Sequence, residues 1–176
     1  MSLERDELER CYLRLEKPLF NVLYRWLWDD GDCQDVIHDS FMRIWSQRRR
    51  VDPARIESLV YATALNLARN RLRWRRLWRW TGLAEDDPDH GESPDRHAER
   101  EAESERLRGA LESLPTDARD VVLLSEFAGM STSEIAETLG IAPGTVASRK
   151  HRALARLREL LASPSSAATD RGERNG

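Results

Sequence analysis

The chain has little cysteine: of its 176 residues only Cys11 and Cys33 carry thiols. They form no CxxC pair and no disulfide framework, which places the chain in a reducing compartment. No Cys/His pair has zinc-site spacing, and no glycine-rich phosphate loop or nucleophile motif is present. Neither an enzyme, nor a metal site, nor a cofactor is expected. The one chemical rival is Cys33, near Asp35 and His38, where a helix start could lower a thiol pKa. Long apolar runs are also missing. No window approaches the roughly 18 apolar residues of a membrane span. The N-terminus, MSLERDELERC, is charged and lacks the apolar run of a signal peptide. A cytoplasmic protein without membrane insertion is expected, and no internal repeat is present.

An overall excess of base is lacking as well, since the net charge is −3. That figure averages unlike segments. Residues 1–80 carry 16 basic and 12 acidic side chains, whereas residues 81–106 carry 3 and 10. One acidic stretch therefore hides a basic protein.

What is present is helical pattern. The expected fold is all-α, with two small helical domains joined by an acidic flexible linker. Residues 1–80 form the first domain, 81–105 the linker, 106–162 the second domain and 163–176 a disordered tail. In the first domain, Leu8, Cys11, Tyr12, Leu15, Leu19, Val22, Leu23 and Trp26 mark one face of a helix over 6–28. Asp29-Asp30-Gly31 breaks it, and Asp32 can cap the next helix, 33–48, which buries Val36, Ile37, Phe41, Ile44 and Trp45. After a basic loop, QRRRVDPARIE, a helix over 57–79 has the apolar stripe Val60, Ala64, Leu67, Ala68 and Leu72. Residues 43–80 hold eleven arginines against two acids, Asp52 and Glu57, with Trp74, Trp78 and Trp80 interleaved. Arginine supplies phosphate contacts and aromatic rings supply stacking surfaces for separated strands. The competing reading packs the tryptophans internally and solvates the arginines.

The linker, TGLAEDDPDHGESPDRHAEREAESE, is too rich in acid, proline and glycine for a packed element before its last residues. In the second domain, Leu107, Ala110, Leu111 and Leu114 begin a helix that Pro115 stops. Thr116 can cap the next, whose core face is Val121, Val122, Leu124 and Phe127. Ser131 with Glu134 has the form of a capping box, Gly140 suits a left-handed helix end, and Pro143 suits a first helical turn. Val146, Ala153, Leu157, Leu160 and Leu161 then form a buried stripe. Ala147, Ser148, His151, Arg152 and Ala155 lie opposite it. From Thr145 to Arg158 there are five basic residues and no acid. A short capped helix followed by a basic helix held by one face is the helix-turn-helix arrangement for the DNA major groove.

These motifs together resemble the extracytoplasmic-function (group 4) RNA polymerase sigma factors, the minimal type with only regions 2 and 4. The resemblance covers roughly 8–80 and 107–161. In the second domain it rests on Leu-Pro at 114–115, Arg119, Glu134-Ile135-Ala136, Gly144-Thr145-Val146, Ser148-Arg149 and Arg152-Ala153. In the first it rests on DCQDVIHDSFMRIW, 32–45, and LVYATALNLARNRLRWRR, 59–76. It implies a protein with no bond-making chemistry that binds core RNA polymerase and promoter DNA and is restrained by an anti-sigma factor. Asp32, Asp35, Val36, Asp39, Arg43 and Trp45 are implied to form or support the polymerase-docking surface. Arg49, Arg50, Asn66, Asn70 and Arg73 would melt and read the minus-ten element. Ser148, His151 and Arg152 would read the minus-thirty-five duplex, with Thr145, Arg149 and Lys150 on phosphate. The acidic linker would enter the polymerase cleft as a nucleic-acid mimic or serve as a solvated spacer.

Several positions depart from the family pattern. His38-Asp39 replaces Gln-Glu, Leu65 replaces an arginine, Asn70 an aspartate, Leu59 a tryptophan, and Ala147 a basic residue. The rival for function is a polymerase-independent helix-turn-helix regulator, its first domain a sensor or dimer module.

Overall fold

The computed structural model describes residues 3–80 and 94–162, with side chains over 3–78 and 101–162. The acid run of 81–93 and the tail of 163–176 lie outside the described residues. Seven α-helices are present among those described: α1 (Arg5–Leu27), α2 (Asp30–Ser46), α3 (Ile56–Trp80), α4 (Pro94–Glu112), α5 (Thr116–Phe127), α6 (Thr132–Leu139) and α7 (Pro143–Ala162). None is long and apolar enough to cross a membrane.

The first domain is a three-helix cluster in which α1, α2 and α3 each touch the other two. Its core is the α1 face of Cys11, Leu15, Leu19, Val22 and Leu23, met by Val36, Ile37 and Phe41 of α2 and Val60, Ala64, Leu65 and Ala68 of α3. Leu65, which replaces a family arginine, is fully buried. The first helix break differs from expectation. Trp28 itself takes the left-handed conformation, φ 53°, and its N–H donates to the Tyr24 carbonyl at 2.7 Å. Asp29, not Asp32, caps α2, accepting the Asp32 backbone N–H at 2.6 Å. In a run of three acids within four residues, composition alone does not select the cap. Trp45 is half-buried, with the Arg48 guanidinium 4.6 Å above its ring.

In the second domain α7 is the common partner of α4, α5 and α6. The Ser131–Glu134 capping box forms with both hydrogen bonds, at 2.7 and 3.3 Å. Gly140 ends α6 at φ 65°, and α7 starts at Pro143. Three details depart from the sequence reading. Pro115 occupies the N-cap position and Thr116 is the first helical residue, so no hydroxyl caps α5. Leu161 is 37% exposed, so the α7 stripe stops at the half-buried Leu160. Finally, α4 reaches back to Pro94, into the expected linker, although its residues 101–106 remain exposed.

Helix α5 is buried along Arg119–Leu124, polar residues included. It lies between α7 and α1, while α6 packs on α3, so the two domains touch along two seams.

Candidate nucleic-acid interface

On α7 the buried side is Val146, Ala153 and Leu157, and the open side is Ala147, Ser148, His151 and Arg152. Ser148 Oγ donates to the Thr145 carbonyl at 3.1 Å, and Arg152 Nε donates to the Ser148 carbonyl at 3.3 Å. The guanidinium stays close to its own helix with its remaining donors outward. Arg149 and Lys150, expected on phosphate, sit on the α5 flank. Arg149 bridges Asp117 at 3.0 Å, and Lys150 bridges Glu126 at 3.0 Å while also donating to Ser125. The Lys150 hydrogen bond holds the Glu126 carboxyl below its usual range.

On α3, Asn66, Asn70 and Arg73 share the exposed side, away from Ala64, Leu65 and Ala68. Arg49 and Arg50 are exposed in the turn after α2. One residue joins this surface to the second domain. Arg69 Nη2 donates to Asn66 Oδ1 at 2.6 Å, and Arg69 Nη1 bridges Asp120 Oδ2 at 2.7 Å.

The α2 surface divides. Arg71 bridges Asp32 at 2.7 Å and Asp35 at 2.9 Å, and Arg75 bridges Asp32 as well. Asp32 is thus turned into α3, and Val36 is core. Asp35, Asp39 and Arg43 remain open, joined by Met42, which is 53% exposed. Met42 escaped the sequence reading, although the periodicity that buries Phe41 and Ile44 places it outward among charges. Cys33 is no reactive thiol. Burial first, then Asp30, Asp29 and Asp32, push its pKa up to about 12. Burial and Glu57 likewise raise Cys11 to about 11.

The seam between α1 and α5 is polar. Arg119 lies 4.1 Å over the Trp26 ring and donates to the Arg25 carbonyl, while Arg25 lies 3.8 Å over Phe127. Burial lowers the Arg119 pKa to about 10 and raises that of Asp120 to about 6, the latter partly opposed by Arg69. A cleft of about 460 Å³ opens beside it, lined by Arg75, Arg76, Arg108 and Arg119 with one acid, Glu112. At the α3–α6 seam Arg55 bridges Glu137 at 2.8 Å.

An open polar face opposite a buried stripe on the second helix of a helix-turn-helix, joined to a three-helix domain whose arginine-rich helix has no acid beyond Glu57, defines a two-domain helical DNA-binding protein. Comparison with known proteins narrows this. The Sigma-70 region 2 family matches residues 11–79, and the Sigma-70 region 4 family matches residues 104–157. The ECF RNA polymerase sigma factor SigE of Mycolicibacterium smegmatis is 32% identical over 165 residues, covering 92% of this chain and 63% of that protein. The chain therefore spans less than two thirds of that relative. The RNA polymerase sigma-E factor of Streptomyces coelicolor is 32% identical over 158 residues, covering 88% of this chain and 86% of that protein. The solved structure of CnrH in complex with the cytosolic domain of CnrY superposes with a TM-score of 0.70 at 26% identity, over 92% of both chains. The chain belongs to the extracytoplasmic-function RNA polymerase sigma factors, proteins that direct transcription initiation and are not enzymes.

Proposed function

We propose that this chain binds core RNA polymerase in the cytoplasm through the outer face of α2, chiefly Asp35, Asp39, Met42 and Arg43, and carries it to a two-element promoter. Asp32, Val36 and Trp45 act from behind, by holding α2 in place. The minus-ten element is taken as separated strands by Arg49, Arg50, Asn66, Asn70 and Arg73. The minus-thirty-five element is read as duplex by Ser148, His151 and Arg152, with Thr145 near phosphate. Arg149 and Lys150 reach phosphate only by leaving Asp117 and Glu126. The observation that carries the reading is the opposition of charge between neighbouring helices. The open face of α2 presents Asp39 and, exposed beyond its bridge to Arg71, Asp35, whereas α3 has no acid from Ser58 to Trp80. One surface suits a basic protein partner and the other a polyanion. The seams between domains are a natural place for a restraining anti-sigma protein, as CnrH is held in complex with another protein.

The test is transcription in vitro with core polymerase, this chain and a randomised promoter library. Promoter-specific transcripts dependent on the chain are expected. Their absence with folded protein, together with palindromic duplex binding without polymerase, establishes the regulator reading instead. Arginine paired to guanine is the commonest specific major-groove contact, so Arg152→Ala costs about 1–3 kcal/mol and relaxes one position.

A further inference from the structure

The minus-ten reading of α3 ends at Arg73, but the exposed surface does not. Asn66, Asn70, Trp74 and Trp78 are spaced four apart, and all four are exposed. A step of four residues rises about 6 Å and turns about 40°, so these side chains form one inclined row about 18 Å long. Its first half is amide and its second half indole. Trp74 is 60% exposed and Leu77, beside it, 54%. Such open apolar side chains on a well-packed helix mark a contact surface, because tryptophan is ordinarily much more covered.

The surroundings decide what the contact is. Ser58–Trp80 carries six arginines and no acid. Arg69, Arg71 and Arg75 are neutralised by Asp120, Asp32 and Asp35, whereas Arg73, one turn beyond Asn70 and Arg69, is exposed and forms no ion pair among the described residues. A flat, exposed apolar ring beside an uncompensated guanidinium group matches a ligand with anionic backbone and flat apolar faces. In duplex DNA those faces are stacked on one another; in a single strand they are free, and stacking on an aromatic side chain tolerates any base. An acidic protein groove would satisfy the charge but not the row's continuity with Asn66 and Asn70.

We propose that Trp74, supported by Leu77 and flanked by Arg73, is a stacking platform for an unpaired base of the opened promoter, extending the minus-ten surface by about one helical turn. This rests on the minus-ten reading of α3 given above. The platform binds the strand once it is separated and plays no part in docking to core polymerase.

The test uses holoenzyme assembled from core polymerase and the full chain, on promoters recovered by the library selection. The probe is a fork template whose minus-ten strand is unpaired. Trp74→Ala lowers fork affinity about tenfold, in line with the stacking strength of one base, while Trp74→Phe keeps it within about threefold and core affinity is unchanged. Trp74→Ala within twofold of wild type overturns the proposal. So does equal loss in the Ala and Phe variants, and so does a matching loss of core affinity, which would make the surface a polymerase contact. Asn66→Ala and Asn70→Ala separate the two levels. If they weaken the fork and Trp74→Ala does not, only the platform fails. If all three are silent, the minus-ten reading falls and takes the platform with it.

Discussion

The inside of each domain and the seam between the domains are built from different materials. Within the first domain the contacts are aliphatic and complete: Leu19, Val22, Leu23, Val60, Ala64 and Leu65 have no exposed surface. At the α1–α5 seam between the domains the contacts are guanidinium on ring, guanidinium on carbonyl and one carboxylate. Arg25 Nε and Arg119 Nε are buried there without a hydrogen-bond partner among the described residues. A buried polar atom left unpaired costs about 1–3 kcal/mol. Cores of the first kind hold a domain together, whereas seams of the second kind close without strong net gain and can part. The minus-ten candidate Asn66 is wired to the weaker of the two through Arg69.

The comparison breaks most visibly in the core. Ile37 is 1% exposed and lies on α2, remote from the seam. Ile37→Ala removes buried methylenes and leaves a cavity, with an expected loss of about 2–5 kcal/mol. Urea denaturation followed by helical circular dichroism checks it. A loss below about 1 kcal/mol would show the first domain to be looser than its burial implies.

Asp120→Ala acts on the seam. It deletes the carboxylate of α5 that holds Arg69 of α3 across the domain boundary. Opening of the domains with helicity retained is expected, seen as a larger radius of gyration by solution scattering. An unchanged radius with a lowered unfolding midpoint would make the seam part of one cooperative core.

Protonation tests the same carboxyl more finely. Asp120 is 1% exposed, and burial raises its pKa from 3.8 to about 6 despite Arg69. The closed state therefore binds the proton more tightly than the open one. Its stabilisation by that proton is complete below about 3.8 and is lost as pH rises to about 6. Closure should strengthen between pH 7 and pH 5, measured by energy transfer between dyes on the two domains. Asp120→Asn should flatten that change, and a wild-type protein that opens on acidification would mean that Arg69, not burial, governs the group.

How much of this was legible depends on the range of the interaction. The α6–α7 turn follows from local rules. Ser131 with Glu134, Gly140 and Pro143 each satisfy a backbone need within four residues, and each appears where expected. The stripes of α1 and α3 follow from periodicity. The backward reach of α4 was obscured because acid, proline and glycine were read as loop. Yet RHAEREAESER is composed mostly of good helix formers, and Pro94 is tolerated in a first turn. The seam was not legible at all. Arg69 and Asp120 are 51 residues apart, and an arginine on a basic helix gives no local sign that its partner lies in another domain. The same holds for Arg149 and Lys150, whose basic run suggested phosphate while α5 supplies their acids.

The smallest effect belongs to the other seam. Arg55 and Glu137 join the short turn before α3 to α6, but their side chains are 57% and 45% exposed. An exposed pair gains little Coulomb energy in water and loses side-chain freedom, so it contributes about 0.2–1 kcal/mol. Arg55→Ala should shift stability by less than about 1 kcal/mol and leave the radius of gyration unchanged, where Asp120→Ala increases it. A double-mutant cycle with Glu137→Ala isolates the pair from losses that each side chain causes alone. Raising the salt concentration should erase the coupling of the exposed pair but spare Arg69–Asp120, because screening acts on charges that water reaches. Equal salt sensitivity in the two pairs would mean that water already enters the α1–α5 seam, and that Asp120 is held by charge rather than by burial.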